Sequence, residues 1–444
     1  MKSLIGNNWC DAKDGSIIEV RNPATNELID TVPSLSEEEV GEAIEYAYVA
    51  QKEWKKIPLH ERCSILMKFV GLIERDKDNL AKTLSDEMGK TIKEAYSEID
   101  NISIDIPSYV GYIQHKYGNF IPRGYEKGDG NTIQYTIQEP IGVCAAIMSD
   151  VFSNDEFINK VIPALLMGNS VILKPSSSSP LTLTKYVELL IESGIPTGVI
   201  SIIHGDDSIL DKKITTNKKV SFVTLPHSNE TKSGILILCE DGDIELAVEE
   251  TISGRLYNAG QTFNASKRFL IQNSVKDEYI TKLISKIKTL KVGYPSEEET
   301  DIGCLISEKD AIEVESQVNK LIEQGAKLAY GGRRNGAFYE PTILDCITKD
   351  MDIANNIEIF GPVISVIVFN TIEEAIEITN HSKVNKYASI ITKNINKAIN
   401  TSEQIECSSF VINGSSHFKY SKSKEDILKE ISQTKTVILK NIIK

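Results

Sequence analysis

The sequence predicts an α/β fold of the doubly wound kind, and two observations carry the expectation. From Ile141 onward, apolar runs alternate with stretches of helical periodicity: GVCAAI, VILKP, VISII and VSFVTL in turn. Such runs, rich in β-branched residues and bounded by glycine or proline, mark buried parallel strands that need helices on both faces. A second α/β segment begins near Ile235, and 444 residues suffice for two or three domains with sizeable cores.

The elements follow in order. The N-terminal third reads as helix. Ser36 followed by Glu39 makes a capping box, in which each side chain satisfies a free backbone N–H of the other. Val40, Ala43, Ile44 and Ala47 continue at helical spacing. A second helix runs from about Leu59, with Ile65, Leu66, Phe69 and Ile73 on one face. NTIQYTI, from Asn131 to Ile137, alternates like an exposed strand. Beyond the parallel runs, a helix bearing Ala311, Val314, Val318, Leu321 and Ile322 ends at Gly325, a residue suited to the left-handed turn after a helix. The last strand, TKTVILKNI, alternates again.

Charge and composition exclude several classes. A net charge of −14 argues against nucleic acid or an anionic membrane as the main partner, and is also common among cytosolic enzymes. No apolar run approaches the ~18 residues a membrane helix needs. The N-terminal MKSLIGNNWCDAKDG lacks the apolar core and cleavage site of a signal peptide. Seven cysteines stand apart, at 10, 63, 144, 239, 304, 346 and 407, none in C-x-x-C spacing. That usage suggests a reducing, cytoplasmic setting and mostly buried, inert thiols. Six histidines form no H-E-x-x-H or Cys/His cluster, so no metal site is expected.

The segment Asn258 to Arg268, NAGQTFNASKR, resembles the nucleophile loop N-x-G-Q-x-C of the aldehyde dehydrogenase superfamily. The likeness runs through the chain: RNPATNELIDTVP, EMGKTIKEA, EPIGVCAAI, IPALLMGNSVILKPS, GIPTGVISIIHG, EDGDIELAVE, VGYPSEEETDIGCLIS, FYEPTIL, EIFGPV and QTKTV follow in family order. Ten matches in order over most of the chain are specific where one glycine-rich turn is not. The subgroup is closest in look to lactaldehyde, succinate-semialdehyde and non-phosphorylating glyceraldehyde-3-phosphate dehydrogenases.

The resemblance implies a Rossmann-type cofactor domain at 1–118 and 140–234 and a catalytic-type α/β domain at 235–418. It implies oligomerisation strands at 119–139 and 419–444, with the final strand added to a partner subunit's sheet.

The family's reaction needs a nucleophile, an oxyanion hole, a general base and a cofactor cradle. A thiolate attacks the aldehyde carbon, and hydride then leaves to nicotinamide. Here Phe263 holds the nucleophile position, and a phenyl ring has no lone pair to offer. Cys239 and Cys304 read as structural, since free cysteine is usually a small buried hydrophobe. Val151, in SDVFSN, stands where the family's oxyanion asparagine belongs, and Asn154 lies three residues on. Removing one such donor costs ~10²–10³ in rate.

KVSFVTLPHS runs almost directly into NETKSGILILCEDGD, so the general-base segment and the helix facing the pyrophosphate are missing. Glu230 is the one carboxylate left near that place, and reads as a solvated loop residue. Of the matching turn only Ser228 keeps its identity, beside His227. The substrate-loop segment after SSFVIN is also short.

Part of the cradle survives. Lys174 matches the lysine that binds the adenine ribose, and Ser177 stands where NAD-preferring members carry glutamate, a change that tolerates a 2′-phosphate. Glu358 matches the glutamate on the nicotinamide ribose, and Phe360 its packing neighbour. These residues can equally persist as packing and ion pairs without a ligand.

The expectation is therefore NADP or NAD bound weakly or not at all. Two readings stay open. One is a pseudoenzyme, acting as a homo-oligomer or as a structural subunit of an active relative. The other is an active NAD(P)-dependent oxidoreductase on a small aldehyde such as lactaldehyde.

Overall fold

The computed structural model describes residues 1–115, 118–121, 132–151, 154–226, 233–262, 265–348, 351, 358–381, 385–414 and 423–440. Two short hairpins open the chain: β1 (Ser3–Ile5) with β2 (Asn8–Cys10), and β3 (Ile17–Arg21) with β4 (Leu28–Pro33). Four helices follow: α1 (Glu37–Trp54), α2 (Leu59–Arg75), α3 (Lys77–Met88) and α4 (Ile92–His115). The capping box is formed: Glu39 N–H donates to Ser36 Oγ at 3.4 Å and Ser36 N–H donates to Glu39 Oε2 at 2.9 Å.

After β5 (Phe120–Ile121) and β6 (Thr132–Pro140), the first parallel segment alternates strand and helix. Its strands are β7 (Val143–Ile147), β8 (Ser170–Lys174), β9 (Ile200–Ile202) and β10 (Val220–Thr224). Between them lie α5 (Asn154–Lys160), α6 (Ile162–Met167), α7 (Leu181–Ser193) and α8 (Asp207–Thr215). The sheet order is β10-β7-β8-β9-β1-β2, parallel from β10 to β9, with β1 antiparallel on β9.

Alternation along the strands builds two cores. Cys144, Ala146, Val171 and Leu173 face α2, α4, α6 and α7. Val143, Ala145, Ile147 and Ile172 face the apolar stripes of α1 and α8. Helices on both faces satisfy the apolar runs seen in the sequence. The strand order reverses between β7 and β10, and the crevice outside the strand ends at such a reversal is where open α/β sheets take ligands.

The second sheet is built from β11 (Ser233–Leu238), α9 (Ile244–Leu256), β12 (Ser266–Gln272), α10 (Lys276–Ile287) and α11 (Glu308–Glu323). It continues through β13 (Lys327–Tyr330), the small hairpin β14 (Arg334–Asn335) with β15 (Phe338–Tyr339), then β16 (Thr342–Ile347) and β17 (Val363–Phe369). It closes with α12 (Ile372–His381), β18 (Asn385–Ile391), α13 (Ile395–Gln404) and β19 (Ser409–Ile412). The order is β13-β16-β17-β12-β11-β18-β19, parallel except for the antiparallel β13. Gly325 lies just past α11 at φ 110°, the left-handed turn its position in the sequence implies.

The chain ends with α14 (Lys424–Glu430) and β20 (Ser432–Lys440). Within the chain, β20 already has one strand neighbour, and it stands at an edge of the three-stranded order β20-β6-β5. It pairs antiparallel with β6 of its own chain over nine residues, from Ser432 opposite Pro140 to Lys440 opposite Thr132. The alternating pattern required a strand neighbour, and β6, with the same alternation, was available within the chain.

Candidate functional site

The loop after α9 keeps a specialised backbone. Asn258, Ala259 and Gly260 have φ values of 49°, 50° and 76°, three successive left-handed residues. For a non-glycine residue that region costs roughly 1–2 kcal/mol. Gly260 is obligatory, because a Cβ there would lie 2.2 Å from the Gly361 carbonyl oxygen.

Buried bonds on all sides hold the shape. Arg255 donates to the carbonyls of Val363 at 2.6 Å and Ile359 at 2.8 Å. Gln261 Nε2 donates to Asn258 O at 3.1 Å, and its Oε1 accepts from Ile306 N–H at 2.9 Å. Asn258 N–H donates to Glu94 Oε1 at 2.8 Å. Phe263 lies outside the described residues.

The cysteines answer whether another thiol stands in. Cys304 is tied to this loop by its carbonyl, which accepts from Gln261 Nε2 at 3.4 Å. Burial pushes its thiol up to about 12. Near neutral pH it stays a thiol, which is not the nucleophilic form. Burial pushes the Cys144 thiol up to about 12 and the Cys239 thiol up to about 11. Cys346 is exposed, but sits toward the C-terminal end of β16. The loop enters the N-terminal end of β12, and the strands from β16 to β12 run parallel, so the two lie at opposite ends of these strands.

Val151 follows β7, is half-buried and packs against the first core, with no donor to offer an oxyanion. Asn154 does not replace it. Its N–H donates to Glu98 Oε2 at 3.1 Å, and its Oδ1 accepts from the Tyr186 hydroxyl at 2.9 Å, inside the first core. Its buried Nδ2 has no hydrogen-bond partner among the described residues.

Lys160, which the sequence reading passed over, spans the strand reversal. Its ammonium donates to Ile147 O at 2.7 Å and Leu225 O at 3.0 Å, at the ends of β7 and β10, and to Glu156 at 2.5 Å. Glu156 also accepts from Ser149 at 2.6 Å. His227, Ser228 and Glu230 lie outside the described residues.

The cradle residues fall into two groups. Lys174 ends β8 beside Ile147, is buried, and forms an ion pair with Asp207 on α8; Asp211 Oδ1 lies 3.8 Å from the same ammonium. Ser177 donates to Asp207 Oδ2 at 2.8 Å. Ser177 therefore does not leave the place free of acid, because Asp207 brings a carboxylate from another element. No local sequence signal marks that contact, 30 residues away in the chain.

In the second group, Glu358 Oε2 accepts from Lys267 at 2.6 Å, and the Lys267 ammonium stands 4.1 Å from the centre of the Phe360 ring. Burial brings Lys267 down to about 8 despite the opposing pull of Glu358. Charged residues opening the apolar strand SKRFLIQ are the sequence signal for this pair. Glu358 Oε1 is buried with no hydrogen-bond partner among the described residues. An orphaned carboxylate oxygen and a buried lysine at a strand end both fit a hydroxyl-bearing ligand such as the riboses of a dinucleotide.

Comparison with known proteins covers nearly the whole chain. The description "Aldehyde dehydrogenase family" matches residues 9–237 and 232–424. A lactaldehyde dehydrogenase of Methanococcus aeolicus is 35% identical over 438 residues, 94% of this chain and 92% of that protein. The mitochondrial succinate-semialdehyde dehydrogenase of Oryza sativa subsp. japonica is 31% identical over 428 residues, 91% of this chain and 80% of that one. The betaine aldehyde dehydrogenase of Staphylococcus aureus, solved in complex with NAD+, is similar with a TM-score of 0.92 at 26% identity, covering 100% of this chain and 95% of that one.

Proposed function

This chain belongs to the aldehyde dehydrogenase family, and on that premise we propose that it no longer oxidises aldehydes through a thiol. It keeps the lactaldehyde and semialdehyde dehydrogenase scaffold as a binding or structural subunit. The observation that carries this reading is the state of the cysteines. With Phe263 at the nucleophile position, the thiol nearest by bonding, that of Cys304, is buried and pushed up to about 12.

Val151 supports the same reading, since its side chain has no donor for a developing oxyanion, while the Asn154 side chain is held in the first core through its Oδ1. The carboxylates of Glu94 and Glu98, on α4 beside the loop, are already engaged by Asn258 N–H and by the Tyr257 hydroxyl. Losses of cooperating catalytic parts are not additive, so the first can remove most of the rate.

A nicotinamide dinucleotide, when bound, would supply the hydride acceptor. Lys174, Ser177 and Asp207 would meet its adenine ribose, and Glu358 Oε1 could accept from a hydroxyl of its other ribose. Self-association is part of the proposal, through the sheet of β5, β6 and β20. Seven cysteines, none in a disulfide, suit the cytoplasm.

The second reading, an active NAD(P)-dependent oxidoreductase on a small aldehyde, is favoured by the retained Lys174 and Glu358. Formation of NADH or NADPH from lactaldehyde and from succinate semialdehyde, measured on the purified chain, decides between them. No production above background is expected, and clear turnover would establish the second reading.

A further inference from the structure

The surroundings of Lys174 carry charge of the wrong sign for a phosphate. Three carboxylates lie close by. Asp207 pairs with the Lys174 ammonium, and Asp211 lies 3.8 Å from it. Asp206 caps α8, accepting from the N–H groups of Ser208 at 3.0 Å and Ile209 at 3.1 Å. The helix N-terminus, which would otherwise offer N–H groups to an anion, is thus already supplied with one. The Lys174 ammonium thus faces more carboxylates than it can neutralise. The Asp207 side chain keeps 41% of its surface exposed, while that of Lys174 keeps 1%. An incoming ligand therefore meets the carboxylate before the ammonium.

We propose that Asp207 sets nucleotide choice in this cradle: it rejects a phosphorylated ribose and admits one with a free 2′,3′-diol. A carboxylate accepts hydrogen bonds from ribose hydroxyls, as the acidic residue of dinucleotide-binding folds does. The same carboxylate repels a 2′-phosphate carrying about −1.5 to −2 charges. Asp207 already holds Lys174 and Ser177, one through each oxygen, so a phosphate reaching for either meets that carboxylate. This inference rests on the family reading of the cradle and not on whether the chain turns over an aldehyde.

The test uses ribose fragments that need neither nicotinamide nor catalysis. Adenosine 5′-monophosphate and adenosine 2′,5′-bisphosphate are titrated by calorimetry into the full chain and into Asp207→Asn and Asp207→Ala. Asparagine keeps a hydrogen-bonding shape beside Ser177 and removes the charge. Thermal unfolding checks that each variant folds. The natural chain is expected to favour the monophosphate at least tenfold, and both variants to lose or reverse that preference.

If the natural chain binds neither fragment measurably, a variant that gains the bisphosphate supports the proposal, and failure of both variants to gain it overturns it. Equal or better binding of the bisphosphate by the natural chain overturns it, as does a preference unchanged in both variants. Failure of the proposed function would appear in NADH or NADPH production, which these titrations do not read.

Discussion

The Tyr257 hydroxyl donates to Glu98 Oε1 at 2.8 Å, joining the end of α9 to α4. α4 builds the first core and α9 the second, so this bond crosses between them. Glu98 also pairs with buried Lys90 and accepts from Asn154 N–H. Tyr257→Phe removes one donor from a buried carboxylate, a change that costs about 1–3 kcal/mol. Urea unfolding should show a lower midpoint with an unchanged slope. An unshifted midpoint would mean that the bond contributes nothing across the boundary.

Two buried groups make opposite contributions to pH dependence. Burial raises Glu87 from 4.5 to about 7, although it accepts from the N–H groups of Leu181 and Thr182. Burial lowers His204, held between Ser3 and Thr184, from 6.5 to about 3. Between pH 4.5 and 7 the unfolded Glu87 gives up a proton that the folded one keeps, so its share of stability falls as pH rises. Between pH 6.5 and 3 the unfolded His204 gains a proton that the folded one refuses, so its share falls as pH drops. Each slope is about 1.4 kcal/mol per pH unit, and the two cancel where the windows overlap. Relative to the natural chain, Glu87→Gln should therefore lose stability progressively as pH falls from 6.5 to 4.5. Denaturation across that range measures it, and parallel pH curves for the two proteins would exclude the Glu87 shift.

Phe263→Cys alone should not restore aldehyde oxidation. Val151 would still offer the oxyanion no donor, and each missing part costs on the order of 10² or more in rate. NADH or NADPH formation from lactaldehyde by the variant should stay at background. Rates approaching those of active relatives would show that the other parts are present after all.

β20 forms one edge of its sheet, with Ile438 49% and Leu439 40% exposed. Unpaired alternating edges are usually covered. Light scattering at micromolar concentration should find a dimer or larger species, and Ile438→Glu with Leu439→Glu should shift it toward monomer. A stable monomer in the natural chain would remove the proposed association.

Much of the fold was legible because the signals were local. The Ser36–Glu39 box, the stripe on α1, the parallel runs from Val143 to Thr224 and Gly325 after α11 each declare themselves within a few residues. The site was less legible because its contacts are long-range. Asp207 reaches Lys174 and Ser177 from another element, and Tyr257 reaches Glu98 over 159 positions. Spacing carried one unread hint. Glu94 and Glu98 lie four apart on a helix whose apolar residues Ala95, Ile99 and Ile102 are buried, which places two acids toward the interior.

The Lys160 ammonium, held by carbonyls at the ends of both β7 and β10, changes how the sheet comes apart. An edge strand commonly frays first, exchanging its amide hydrogens by small local openings. β10 cannot do so alone. Lifting it from β7 strips a buried cation of an acceptor and disturbs the α5 residue that carries it. The amides of Val220 to Thr224 should accordingly exchange together with those of α5, as one cooperative unit rather than as a loose margin.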